Sequence, residues 1–191
     1  MKYKMLVVVD YQKDFVDGAL GFEGAEKLDA AIAQKIRKYE AEDGIIVRTM
    51  DTHFKNYLET REGKNLPIIH CIFRTEGWEM YGETRKAWAD VSERMATHSL
   101  DKKSFGVGPS LMIELMGYLR MSGIEVSDVE SIEFVGLVSN ICVISNVVVF
   151  QSAFPNATMM VNPALTDSFD KEKHEATMQV LAGLQVKLID D

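Results

Sequence analysis

Disulfides, membrane spans and cationic surface are all missing from this sequence. Only two cysteines, Cys71 and Cys142, occur in 191 residues, so no disulfide framework holds the fold and each is read as a thiol. No run approaches the roughly 18 uninterrupted apolar residues of a membrane span. The opening Met1-Lys2-Tyr3-Lys4-Met5 leads straight into a strand-like run without the apolar stretch of a signal peptide, so the expected setting is cytoplasmic. Basic residues are outnumbered, 21 Lys and Arg against 29 Asp and Glu, for a formal net charge of −8. Nucleic-acid surfaces need clustered cations, so the expected partner is a small molecule, with neither nucleic acid nor membrane. No tract rich in Pro, Gly or Ser, no internal repeat and no low-complexity segment divides the chain, and one domain over residues 1–191 is expected. What is present is the ordinary globular balance, 47% hydrophobic and 26% charged.

Met5 to Val9 is an unbroken apolar run stopped by Asp10, as in a strand covered on both faces of a parallel sheet. Glu23 to Glu42 carries Leu28, Ile32 and Ile36 at roughly helical spacing and presents an acidic, solvated face; Ile45 to Val47 then reads as a second strand. The pattern predicts a strand region at Ile68 to Phe73, a helix from Gly82 to Met95, and another from Gly108 to Arg120. A strand follows at Ile132 to Leu137, then a very apolar helix from Ile141 to Phe150 ended by Pro155. Strands at Ala157 to Val161 and Val186 to Ile189 flank a helix over Lys171 to Leu184. This alternation implies a three-layer α/β/α fold on a mostly parallel six-stranded sheet of Rossmann-like type. The stretch Thr52 to Pro67 is irregular. In open α/β sheets ligands sit beyond the carboxyl ends of the strands, which directs attention to Asp10, Asp51, His53, His70 and the segment around Cys142.

Cys142 lies where a strand hands over to a helix. With Ser139 as N-cap it falls in the first turn, where the helix dipole and free amides favour a thiolate; its place in an apolar run equally suits a small core residue. Asp10 ends a buried strand, where an ionised carboxylate needs a partner or a raised pKa, a condition met by a general base and also by a loop cap. Lys102 alone reads as a solvated lysine. Asp51 and His53, two apart in extended chain, point to the same side. With Glu62 and His70 they make two carboxylates and two imidazoles, a set suited to divalent Zn, Mn or Fe with positions left open, or else surface histidines and loop acids. Phe15 and Phe105 can wall a pocket for a flat ring or simply belong to the core, while Trp78 and Trp88 read as packing residues.

Five segments in this order are similar to those of the isochorismatase-like superfamily, and especially its nicotinamidase branch: Val7 to Phe15, Asp51-Thr52-His53, His70-Cys71, Lys102 to Gly106, and Gly136 to Val143. The resemblance implies a catalytic triad of Asp10, Lys102 and Cys142, with Lys102 lowering the pKa of Cys142 and Asp10 carrying the thiol proton to the departing amine. It implies a cis peptide at Leu137-Val138, an oxyanion site made by the amides of Val138 and Cys142, and a metal on Asp51, His53, Glu62 and His70, zinc first, with manganese or iron as alternatives. The implied activity is hydrolysis of nicotinamide to nicotinate and ammonia. Another amidase acting on a carbamoyl or ureido compound, or a silent small-molecule-binding protein, are the competing readings. Isochorismatases themselves use no cysteine nucleophile, so Cys142 argues against ether cleavage. Relatives commonly self-associate, which leaves room for a homo-oligomer. The chain departs from the nicotinamidase pattern at Pro67, where many members place Trp or Phe, and at Ser139-Asn140, where Thr-Asp is commoner.

Overall fold

The computed structural model describes residues 2–91 and 97–190. Its centre is a sheet of six parallel strands in the order β3-β2-β1-β4-β5-β6, formed by β1 (Tyr3–Val9), β2 (Ile45–Asp51), β3 (Thr97–Lys102), β4 (Val129–Leu137), β5 (Thr158–Asp167) and β6 (Lys187–Leu188). The unbroken apolar run of β1 follows from its place between β2 and β4, because successive side chains point to opposite faces and both faces are covered. Met5, Val7 and Val9 enter one core with Leu115 and Leu119 of helix α5 (Pro109–Met121), Val147 and Phe150 of α6 (Ile144–Ala153) and Leu181 of α7 (Lys171–Gly183). Leu6 and Val8 enter the other, with Ile32 and Ile36 of α2 (Asp29–Ala41) and Ala87 and Trp88 of α4 (Gly82–Val91). Two short helices, α1 (Lys13–Val16) and α3 (Arg61–Asn65), lie in the loops after β1 and β2.

The strand order runs outward from β1 in both directions, so the crevice of this topology opens at the carboxyl ends of β1 and β4. There the two backbones come unusually close. Gly136 has φ +109, and a Cβ on it would lie 2.1 Å from the Val9 carbonyl oxygen, so only glycine fits.

Two of the expected elements differ. Ile68 to Phe73 is not a sheet strand; its one ladder contact is a bridge between Ile72 and His53. Cys71 takes φ +45, which breaks the extended chain, and Ile68 and Ile69 are exposed rather than buried. The third strand is instead β3, Thr97-His98-Ser99-Leu100-Asp101-Lys102, whose single apolar residue hid it: as an edge strand it pairs only with β2 and needs little apolar surface. The acidic segment forms regular helix only from Asp29, after a 3-10 turn at Ala25–Leu28. The expected helix end at Met95 lies outside the described residues.

Candidate active site and metal centre

Parallel register brings four strand ends together. Asp51 pairs with Lys102 across β2 and β3, and Thr49 and Gly136 both flank Val9, so Asp10, Asp51, Lys102 and the turn after β4 converge on one crevice. Asp10 leaves β1 with φ +45, and its carboxylate is wholly buried. Oδ1 accepts from Thr49 Oγ1 at 2.6 Å, and Oδ2 faces Lys102 Nζ at 2.6 Å. Lys102 is as completely buried, with Nζ 3.6 Å from Asp51 Oδ1 and 3.8 Å from Cys142 Sγ.

These groups set one another's protonation. Burial pulls the Lys102 ammonium down, but Asp10, Cys142 and Asp51 outweigh it and the group stays firmly charged. Burial pushes the Asp10 carboxyl up; Lys102 pulls it back, and the charge of Asp51 pushes it up again, leaving it above the ordinary carboxylate range. The Cys142 thiol is raised well above its usual value, first by burial, against the pull of Lys102, and further by Asp10 and Asp51. Lys102 thus acts in the expected direction without prevailing over burial, and the resting species is a thiol rather than a thiolate. A raised carboxyl next to a raised thiol is a pairing between which a proton can move.

Cys142 sits in a π-helical turn, Ser139–Val143, that leads into α6. The N-cap position belongs to Val138 rather than Ser139, whose hydroxyl instead meets His174 Nδ1 of α7 at 3.0 Å. The Leu137–Val138 peptide is cis. Buried Asn146 ties this turn to the neighbouring loop: its Nδ2 donates to Cys142 O at 2.8 Å and Phe105 O at 3.2 Å, while Oδ1 accepts from Val107 N at 3.1 Å. Nothing in the spacing of Asn146 alone marked it for this role.

Asp51, His53, Glu62 and His70 form a group whose ligand atoms all lie within 4.8 Å of one another. His53 Nε2 is 3.0 Å from Asp51 Oδ2 and 3.5 Å from Glu62 Oε1, and His70 Nε2 is 3.3 and 3.9 Å from the same two atoms. Four ligands about 2.1 Å from a tetrahedral ion stand about 3.4 Å apart, so these edges match a small divalent cation. His70 Nδ1 donates to Ile68 O at 2.7 Å, which leaves the Nε2 lone pair directed at the group. Burial lowers the His53 imidazolium, but its hydrogen bonds to the Asp51 and Glu62 carboxylates prevail and raise it to about 9. Asp51, although burial pushes it up, is held well below the carboxylate range by Lys102 and both imidazoles. The group therefore calls for positive charge, which a metal ion satisfies.

Gln12 is a site residue that the sequence reading passed over. Wholly buried, it donates through Nε2 to Asp51 O at 2.9 Å and Trp78 O at 2.8 Å, and accepts from Asp51 N at 2.7 Å. It thereby holds the backbone that carries the Asp51 carboxylate. Trp78 does more than pack, since its Nε1 donates to Thr52 Oγ1 at 2.9 Å; Trp88 packs beneath Arg48.

Asp51, Glu62, His70 and Cys142 all line one cavity of about 170 Å³, walled by Phe15, Leu20, Leu66, Phe105, Val138, Ile141 and Phe169. Phe15 packs on His70 with ring centroids 5.6 Å apart, and Phe105 is 45% exposed at the mouth. Pro67 is exposed and outside this lining, and Leu66 takes its place. Phe169 was findable as the first aromatic residue beyond β5; Leu20, in the loop after α1, carried no signal. A cavity near 150 Å³ holds one benzene ring, so this space fits a single ring or a small acyl amide.

Comparisons with known proteins agree with this architecture. A search of curated proteins finds no match. Among solved structures, the chain is similar to a pyrazinamidase/nicotinamidase from Streptococcus mutans at 23% identity, covering 97% of this chain and 99% of that one with a TM-score of 0.82. A pyrazinamidase of Pyrococcus horikoshii in complex with zinc aligns at 21% identity, covering 98% and 99%, with a TM-score of 0.78. The N-carbamoylsarcosine amidase of Thermoplasma acidophilum aligns at 20%, covering 100% and 98%, with a TM-score of 0.74. The isochorismatase domain model matches residues 4–190, and the chain belongs to the isochorismatase family.

Proposed function

We propose that this protein is a cytoplasmic cysteine amidohydrolase that converts nicotinamide to nicotinate and ammonia within one domain. The observation that carries the reading is that Cys142, joined through Lys102 to Asp10, lines the same one-ring cavity as Asp51, Glu62 and His70 of the metal-binding group.

Asp10 takes the thiol proton as Cys142 Sγ attacks the amide carbon, while Lys102 balances the charge that passes between them. The amides of Val138 and Cys142 receive the developing oxyanion. Asp10 then returns the proton to the nitrogen, the C–N bond breaks and ammonia leaves a thioester on Cys142. Water, deprotonated by Asp10, attacks the thioester, and nicotinate departs with the thiol restored. Phe15 and Phe105 flank the ring and exclude water from the reacting carbon. Asp51, His53, Glu62 and His70 would hold a divalent ion, zinc by the donor set and by the relative that carries it, which would supply Lewis acidity toward the ring nitrogen.

The second reading is an amidase for a carbamoyl or ureido compound. It is favoured by the exposed Pro67, which offers no aromatic face where many nicotinamidases have one, and by the similarity to an N-carbamoylsarcosine amidase. The missing face costs about 1 kcal/mol of stacking, less than tenfold in binding, so nicotinamide should still turn over with a raised KM. The test is ammonia release from nicotinamide and benzamide with metal content measured in parallel. Turnover of nicotinamide and little of benzamide is expected. Equal rates would remove the ion from ring recognition, and no turnover of nicotinamide by metal-replete protein would transfer the assignment to the second reading.

A further inference from the structure

A second, larger cavity of about 800 Å³ adjoins the catalytic one and shares Glu62, Leu66, Phe105 and Ile141 with it. Its chemistry is different. The inner cavity is closed in by apolar side chains, whereas the outer one carries two cations, Arg61 and Lys103. Among the described residues the only acid in its lining is Glu62, which is turned to His53 and His70. Neither cation forms an ion pair among the described residues, although the chain as a whole carries a net charge of −8.

Lys103 Nζ lies 4.9 Å from the centroid of Phe54, and Phe54 in turn packs on Phe73 at 5.8 Å. Phe54 and Phe105, 44% and 45% exposed, present apolar surface beside the cations. Two cations in the lining of one cavity, beside exposed rings on an acidic protein, favour an anion with an apolar body. The inner cavity takes one ring or one short acyl amide and no more. A longer substrate can extend past Leu66 and Phe105, which both cavities share, into the cavity that Arg61 and Lys103 line.

We propose that the outer cavity is a substrate subsite, so that the preferred substrate is an amide whose far end bears a carboxylate, read by Arg61 and Lys103. This rests on the amidase reading but not on the choice between its two substrates, because a carboxylated pyridine carboxamide and an N-carbamoyl amino acid share the required chemistry. It makes Arg61 and Lys103 specificity residues with no part in bond breaking.

The experiment compares kcat/KM within two matched pairs whose anionic members outgrow the inner cavity: nicotinamide against its 5-carboxylate, and propylurea against N-carbamoyl-4-aminobutanoate. In the wild type the anionic member of the pair that is turned over should lead by about tenfold, the worth of two partly exposed charge contacts. The lead should lie in KM rather than kcat, and should shrink as the screening length falls from about 10 Å at 0.1 M salt to about 3 Å at 1 M. In an Arg61→Gln/Lys103→Gln variant the ratio should drop to about one or below. A wild-type preference for the neutral member, or a ratio that the double substitution leaves unchanged, overturns the subsite. If none of these amides is hydrolysed the amidase reading fails separately. Calorimetric titration with the two anionic amides then decides the subsite: binding that disappears in the double variant upholds it, and no binding to the wild type overturns it.

Discussion

Replacing Lys102 with Met removes the one cation that contacts Asp10 among the described residues while keeping the bulk of the stem. Among the described residues the Asp10 carboxylate is left wholly buried with the Thr49 hydroxyl and the Cys142 thiol as its side-chain partners and no cation, while Asp51 keeps His53 and His70. Breaking a buried ion pair by deleting one partner costs about 3–5 kcal/mol, a large share of the roughly 5–15 kcal/mol that holds a domain folded. Replacing both partners should cost far less, because an Asp10→Asn/Lys102→Met protein buries no unpaired charge. The measurement is urea unfolding of wild type, both single variants and the double variant in the presence of a chelator, so that metal binding adds nothing to the native state. The pH dependence has a definite sign. Asp10 is raised above 3.8 in the folded protein and rises further without Lys102, so its protonated form favours the native state. The penalty of Lys102→Met should be full above that folded-state pKa and fade as pH falls through it toward 3.8. A loss under about 1 kcal/mol at neutral pH, or a double variant no more stable than Lys102→Met alone, would refute the account of Asp10 and Lys102 as a mutually compensated buried pair.

Because burial raises the Cys142 thiol, iodoacetamide should label it at a rate that climbs about tenfold per pH unit from pH 6 to 8 without levelling, and faster than the wholly enclosed Cys71. Cys142→Ala should abolish hydrolysis, and full activity in that variant ends the covalent mechanism. Purified protein should carry close to one transition metal per chain and His53→Ala should lose most of it by elemental analysis; active protein free of metal would defeat pyridine anchoring. Gln12→Ala should weaken metal affinity about 10–100-fold in chelator competition, the usual effect of losing a group that orients a ligand, and an unchanged affinity would show that Asp51 does not need the clamp.

The parts of the fold that could be read from sequence are those where burial leaves a one-dimensional trace. The strands β1, β2 and β4 are enclosed on both faces, so their apolar runs mark them, and the residue that interrupts each run is where the polar chemistry begins. Asp10 was legible for that reason, and Asp51 because it follows the second run closely and stands two residues before His53. β3 was not, because an edge strand with one apolar residue leaves no such trace, and without it Lys102 had no structural address beyond family resemblance. Conversely Ile68 to Phe73 carries apolar residues whose purpose is local: Asp14 Oδ2 accepts from Cys71 N at 2.7 Å, and the chain bends there to aim His70. Gln12 and Asn146 escaped notice because their importance lies in which backbone atoms they reach, across 39 residues in the first case. The protonation of Cys142 was illegible for a further reason. A helix start and a nearby lysine both argue for a thiolate, but the sign of the shift is decided by complete desolvation together with two carboxylates from other strands, a sum that exists only after folding. The order β3-β2-β1-β4 delivers Lys102, Asp51, Asp10 and the Cys142 turn side by side from adjacent strand ends. Lys102 therefore faces two carboxylates and a thiol in one enclosed space, an arrangement in which a proton can pass from sulfur to carboxylate while Lys102 remains charged throughout.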